Sequence, residues 1–178
     1  VLMQRLFECM VPSNSVHLRE LALSSISAVA NATKANMLPY FPQLIEILKM
    51  YLVKTEDEDI CTLRPAAIDT LAALARTIGK ENFLPLAVDT MNLGLNLIED
   101  KNDPDLKRSC YNLFAAMALV LNEQIGSALE KIVSSMIDSV KSTESIVLSN
   151  GKDSEDIIED ADGDGDQEGS ECGHGFLA

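Results

Sequence analysis

A thirteen-residue pattern recurs three times in this chain, as LRELALSSISAVA from Leu18, LRPAAIDTLAALA from Leu63 and LKRSCYNLFAAMA from Leu106. The offsets are 45 and 43 residues, which is the unit length of HEAT and armadillo arrays, about 40–47 residues. Seven columns align. Leu18, Leu63 and Leu106 open the pattern, followed by Arg19, Arg64 and Lys107, then by Ala22, Ala67 and Cys110. Leu23, Ile68 and Tyr111 come next, then Ile26, Leu71 and Phe114, then Val29, Leu74 and Met117, and last Ala30, Ala75 and Ala118. Apolar residues at steps of three and four mark one face of an α-helix. The small residues of the third column let neighbouring helices approach closely.

A second helix is expected after each of these, over Met37–Val53, Phe83–Glu99 and Ser127–Lys141. Pro39 and Pro85 fall near the first turns of two of them, where a missing N–H costs nothing. Polar breaks at 54–59 and 100–104 separate the units, and Pro104 is placed to open the next helix. Residues 1–10 read as the second helix of an earlier, truncated unit. The chain opens on Val1 inside an apolar run, as a segment with missing neighbours does.

A lone helical pair cannot bury both sides of its apolar surface. Each buried Leu or Ile contributes roughly 1.5–3 kcal/mol, against about 1–2 kcal/mol per residue of backbone entropy. Stacking on a neighbouring unit supplies the missing burial. The expected fold is therefore all-α, a HEAT-repeat solenoid of stacked antiparallel helix pairs over residues 1–141. A closed helical bundle, the competing arrangement, does not require aligned positions. Residues 142–178 are expected to form an acidic, disordered tail.

Charge is unevenly spread. Residues 142–178 hold eleven acids and one base, Lys152, whereas residues 1–141 hold seventeen acids and thirteen bases. No cluster of Lys and Arg exists for a nucleic-acid backbone, so basic proteins are the natural partners. Aromatic content of 4% and the absence of Trp favour close helix packing over a β-sandwich. Cys9, Cys61, Cys110 and Cys172 lack zinc or disulfide spacing and suit a reducing compartment. The longest uncharged runs fall short of the ~20 residues that a bilayer requires. No cofactor, metal or membrane contact is expected.

No catalytic constellation assembles around His17 or His174, the two histidines, and no enzyme activity is expected. Asp160, Asp162, Asp164, Gly165 and Glu171 match the spacing of a calcium loop. Gln167 stands where that loop wants an apolar residue, however, and no exit helix follows Glu171. The reading preferred here is a solvated acidic tract meeting the pattern by chance. Cys172 and His174 are two ligands, too few for a metal site. Asn31-Ala-Thr33, a glycosylation sequon by pattern, falls in mid-helix.

The second helices offer a better surface. Asp89, Asn92, Asn96 and Glu99 form one stripe of a helix whose other sides carry Val88, Met91, Leu95 and Ile98. On a solenoid such stripes line a groove, which Glu46 would extend on one side and Glu130 and Asp138 on the other. The competing reading is an ordinary solvated face.

Three stretches carry a family resemblance: DTLAALARTIGKENFLPLAVDTMNLGLNLI, DKNDPDLKRSCYNLFAAMALVLNE and VKSTESI before the acidic run. The chain resembles the importin β (karyopherin β) nuclear transport receptors over roughly residues 1–150, most closely the branch of importin four and importin five. Residues 103–118 are the most specific part. The resemblance implies a superhelix of HEAT units that carries basic cargo, ribosomal proteins or histones, through nuclear pores. It implies Ran-GTP and FG nucleoporins as partners of the full receptor, and residence in both cytoplasm and nucleus. The terminal CGHGFLA does not continue the family pattern. A HEAT scaffold for a non-transport complex is the alternative.

Overall fold

The computed structural model describes residues 1–152 apart from 54, 56 and 100–102, with side chains through Lys141. Regular structure among these residues is helical throughout. It comprises α1 (Leu2–Cys9), α2 (Val16–Thr33), α3 (Phe41–Leu52), α4 (Glu58–Thr77), α5 (Lys80–Leu97), α6 (Pro104–Leu121) and α7 (Gly126–Lys152). Short 3-10 segments, Lys34–Tyr40 and Asn122–Ile125, precede α3 and α7. Val1–Ser139 forms one compact unit, and Val140 begins a second.

The three repeated segments are α2, α4 and α6, and each begins with a side-chain cap. Ser15 Oγ accepts from Leu18 N at 3.3 Å, Asp57 Oδ1 from Ile60 N at 3.3 Å, and Asp103 Oδ1 from Leu106 N at 2.8 Å. A cap of this kind satisfies an orphan amide and is worth about 1 kcal/mol. The turns that end these helices repeat as well. Lys34, Gly79 and Asn122 have φ of 50°, 92° and 51°, and they stand at the same 45- and 43-residue offsets as the sequence pattern. A left-handed residue reverses the chain into the second helix, and only Gly79 adopts it without a Cβ penalty. Lys34→Gly is therefore expected to stabilise the fold by roughly 0.5–1 kcal/mol. The relieved strain of about 1–2 kcal/mol exceeds the extra chain entropy of glycine. Gly79→Ala is expected to act in the opposite sense. Thermal melting of the two variants checks both signs.

First helices stack on one another, α2 on α4 and α4 on α6, while α3 packs chiefly on α4 and α5 on α6. Each second helix thus leans on the first helix of the following unit. This is the sharing of apolar surface that makes a repeat array cooperative. Leu23, Ile26, Leu63, Ile68, Leu74 and Leu113 are fully buried along the stack. A polar ladder runs beside them. Arg19 Nη2 donates to Asp59 at 2.8 Å, Ser27 Oγ to Thr70 Oγ1 at 3.0 Å, and Ser109 Oγ and Asn112 Nδ2 to Asp69 at 3.0 and 2.7 Å. Tyr51 Oη donates to the buried carbonyl of Met10 at 3.1 Å, tying the end of α1 to α3. Cys110, on the inner side of α6, is buried, and burial foremost, then Asp103 and Asp69, pushes its thiol up to about 12. It is held as an inert core thiol.

Several boundaries differ from the sequence reading. The helix expected over Met37–Val53 is a 3-10 segment as far as Tyr40, with Pro42 rather than Pro39 in the first turn of α3. The helix expected over Phe83–Glu99 starts at Lys80, so Pro85 lies inside it. Helix α7 runs on to Lys152, past the expected stop at Lys141, because neither Gly nor Pro interrupts the chain before Gly151. Two aligned residues are exposed: Leu18 is 39% exposed, and Ala118 is exposed whereas Ala30 and Ala75 are buried. Burial in those columns needs a first helix on the preceding or following side. Among the described residues α2 has none before it and α6 none after it. The calcium-like pattern Asp160–Glu171, with Cys172 and His174, lies outside the described residues.

Candidate protein-binding surface

Helix α5 buries Phe83, Ala87, Thr90, Met91 and Gly94, and Ile98 just past its end is buried too, a helical face turned to its neighbours. Asp89, Asn92, Asn96 and Glu99 are exposed along the opposite edge. Val88, which the sequence reading set among the apolar sides, is 60% exposed beside that edge. The periodicity allowed either side, and the neighbours decide.

The expected site residues differ in how far they are engaged. Glu46, exposed on α3, accepts from Lys49 Nζ at 2.7 Å, one turn away. Glu99 accepts from Lys131 Nζ of α7 at 2.6 Å. The hydrogen bond from Lys131 foremost, and its positive charge next, hold the Glu99 carboxyl below its ordinary value, with slight desolvation opposing. What stability this pair contributes is present above the ordinary carboxylate range and is lost as pH falls through the lowered pKa. Glu99 is thus a strut between α5 and α7. Asp89, Asn92, Asn96 and Glu130 make no side-chain hydrogen bond among the described residues. Asp138 is exposed on α7. The seven residues therefore do not form one cluster: Glu99 is turned to α7, and Asp89 is turned to α3.

Between α3 and α5 lies a cleft of about 400 Å³ that sequence reasoning missed. Ile45, Leu48 and Leu52 wall it from α3, Leu86 and Leu93 from α5, and Leu71 of α4 forms its floor. Asp89 and Lys49 stand at its mouth. Each of these leucines reads as ordinary core at helical spacing, and no signal in the sequence separates a filled contact from an open one. A second, polar groove crosses the first helices, lined by Glu20, Ser24, Thr62, Asp69, Asp105 and Arg108 among others. There Asp69 is engaged by Ser109 and Asn112, and Asp105 by Arg108 at 3.5 Å.

Among the described residues no group of three or more His, Cys, Asp or Glu could hold a metal ion. None of the described helices is long and apolar enough to cross a membrane. Among the described residues His17 is paired only with Glu20, at 3.8 Å on the surface.

The family model for "Importin subunit beta-1-like, TPR repeats" matches residues 1–159. The repeat spacing of 45 and 43 residues is longer than the ~34 of a TPR unit and is that of HEAT. Importin-4 of Homo sapiens is 41% identical over 134 residues, 75% of this chain and 12% of that protein. Importin-4 of Mus musculus is 40% identical over 129 residues, 72% of this chain and 12% of the relative. The probable importin subunit beta-4 of Schizosaccharomyces pombe is 29% identical over 149 residues, 84% of this chain and 14% of the relative. The chain spans only an eighth or so of the curated relatives that it matches.

Proposed function

The chain belongs to the importin β family, and on that premise we propose that it is a segment of a nuclear import receptor that acts by binding, not chemistry. In this reading the segment forms part of the surface that holds basic cargo proteins, with Ran-GTP and FG nucleoporins as partners of the whole receptor in cytoplasm and nucleus. Ribosomal proteins and histones are the basic cargoes that the resemblance suggests. Residues 142–178, with eleven acids and one base, add negative charge that suits the same basic partners. The observation that carries the binding surface is the polar edge of α5, where Asp89, Asn92 and Asn96 make no side-chain hydrogen bond among the described residues. Asn92 and Asn96 offer amides to an extended peptide backbone, and Asp89 offers an unengaged carboxylate to Lys or Arg.

Exposed ion pairs contribute only about 0–1 kcal/mol each, so useful affinity comes from many of them along several units. Binding should weaken as salt rises, because charges separated by more than ~8–10 Å are screened at physiological ionic strength. In the full-length receptor, Asp89→Lys should weaken a Lys-rich cargo peptide several-fold, roughly 1 kcal/mol once attraction is replaced by repulsion. Glu20→Lys and Glu81→Lys, outside the stripe, should change it far less. Glu99→Lys is the poorer probe, since it also breaks the strut to Lys131. Equal losses at Asp89, Glu20 and Glu81 in a titration of the peptide would reduce the stripe to a contributor of general negative potential.

A further inference from the structure

Four aliphatic side chains, Ile45 and Leu52 on α3 and Leu86 and Leu93 on α5, are only half-buried and face one another across the α3–α5 cleft. Beneath them Leu48 and Leu71 are 1% and 4% exposed, so the floor is packed from behind and does not rise to fill the space. First helices close on one another, whereas α3 and α5 each lean on a different first helix, α4 and α6. The cleft is the space between two supports.

The polar groups at its mouth are unequal. Lys49 Nζ is bound to Glu46, so its alkyl stem serves as wall and the pair together adds no net charge at the opening. Asp89 has no partner among the described residues and keeps its negative charge at the opening. An apolar recess beside one uncompensated carboxylate fits a large apolar side chain next to a cation in a partner chain. The same charge disfavours the other available occupants. Residues 153–178 contain ten acids and no Lys or Arg, and a second copy of this chain brings a net charge of −14.

We propose that the α3–α5 cleft is an anchor pocket for a Leu or Phe side chain of a basic partner protein, with an adjacent Lys or Arg of that partner paired to Asp89. This rests on the reading of the chain as a binder of basic proteins and adds the apolar half of the recognised element. The added half matters because exposed charge pairs alone discriminate poorly, whereas a desolvated side chain in a pocket fixes the register of an extended peptide.

The test is methyl NMR on the full chain titrated with three short amidated peptides. One has a Leu between two Lys residues, one has Ala for that Leu, and one has Gln for both Lys residues. The Leu–Lys peptide should shift the methyls of Leu48, Leu86 and Leu93 and bind at least about tenfold more tightly than its Ala form. Asp89→Asn should weaken the Leu–Lys peptide several-fold and leave the Leu–Gln peptide unchanged. Salt-sensitive binding of Leu and Ala forms alike, with the cleft methyls silent, would overturn the pocket and leave the acidic stripe standing. Occupation of the cleft by the Leu–Gln peptide as tightly as by the Leu–Lys peptide would overturn the pairing with Asp89, and with it the proposal of a basic partner. Varying the peptide keeps the test decisive even where a cleft substitution harms folding.

Discussion

Replacing Gly94 by Leu is expected to destabilise the protein by about 2–4 kcal/mol, even though leucine is the better helix former. A Cβ at this position already lies 2.7 Å from Phe114 Cε1 and 3.5 Å from Leu113 Cδ2. Phe114 is 3% exposed and Leu113 fully buried, so neither ring nor methyl has room to retreat. The gain in helix propensity, about 1 kcal/mol, is smaller than the cost of forcing α5 and α6 apart. That pair is a main contact between consecutive units, and in an array stabilised by nearest-neighbour terms the loss falls on one interface. Urea unfolding should show a lower midpoint and a broader transition, and amide exchange should rise first in α5 and α6. Gly94→Ala should fall between wild type and Leu. An unchanged midpoint for the Leu variant would mean that α5 and α6 do not approach as closely as 2.7 Å implies.

The second large effect has an unusual sign. Arg19 and Arg64 occupy the same column of the repeat and are 5% and 8% exposed, but they are not equivalently paired. The Arg19 guanidinium donates to a carboxylate, Asp59, at 2.8 Å. Among the described residues Arg64 donates only to the backbone carbonyl of Val53, at 3.0 Å, and the Nε of each of the two arginines is buried without a partner, so the counter-charge alone separates them. A buried cation without a counter-charge keeps most of its desolvation penalty, and an orphaned buried donor costs about 1–3 kcal/mol. Arg64→Met preserves the packed stem and removes both costs. The Val53 carbonyl, on a residue 57% exposed, remains within reach of water. This variant is expected to stabilise the fold by about 1–2 kcal/mol. Arg19→Met, by contrast, discards an ion pair and should be neutral or destabilising. Chemical denaturation of both variants tests the contrast, and a loss for Arg64→Met as large as for Arg19→Met would refute it.

The polar ladder was only partly legible. Arg19, Arg64 and Lys107 align in sequence, yet which of them finds a carboxylate depends on residues some forty positions away on the next first helix. Asp59 is supplied to Arg19, while among the described residues no acidic side chain reaches Arg64. The binding surface was legible in the same partial way. The spacing of Asp89, Asn92, Asn96 and Glu99 marks one edge of α5. It does not tell that Glu99 is engaged by Lys131, that Val88 joins the exposed edge, or that Asp89 stands at the mouth of a cleft.

The sequence by itself determined that the chain is helical and repeating, because apolar spacing of three and four is a local property that each segment carries without its neighbours. It also carried the family resemblance, the helix-opening proline at 104, and the small residues where helices meet. The tertiary structure alone decided where α3 and α5 part. Their separation is set by how each leans on a different first helix, through contacts such as Gly94 with Phe114 that join residues far apart in the chain. A hydrophobic pattern records which face of a helix is apolar. Whether that face meets a partner at van der Waals distance or borders an open cleft depends on the sizes of side chains elsewhere, and only the assembled array brings those together.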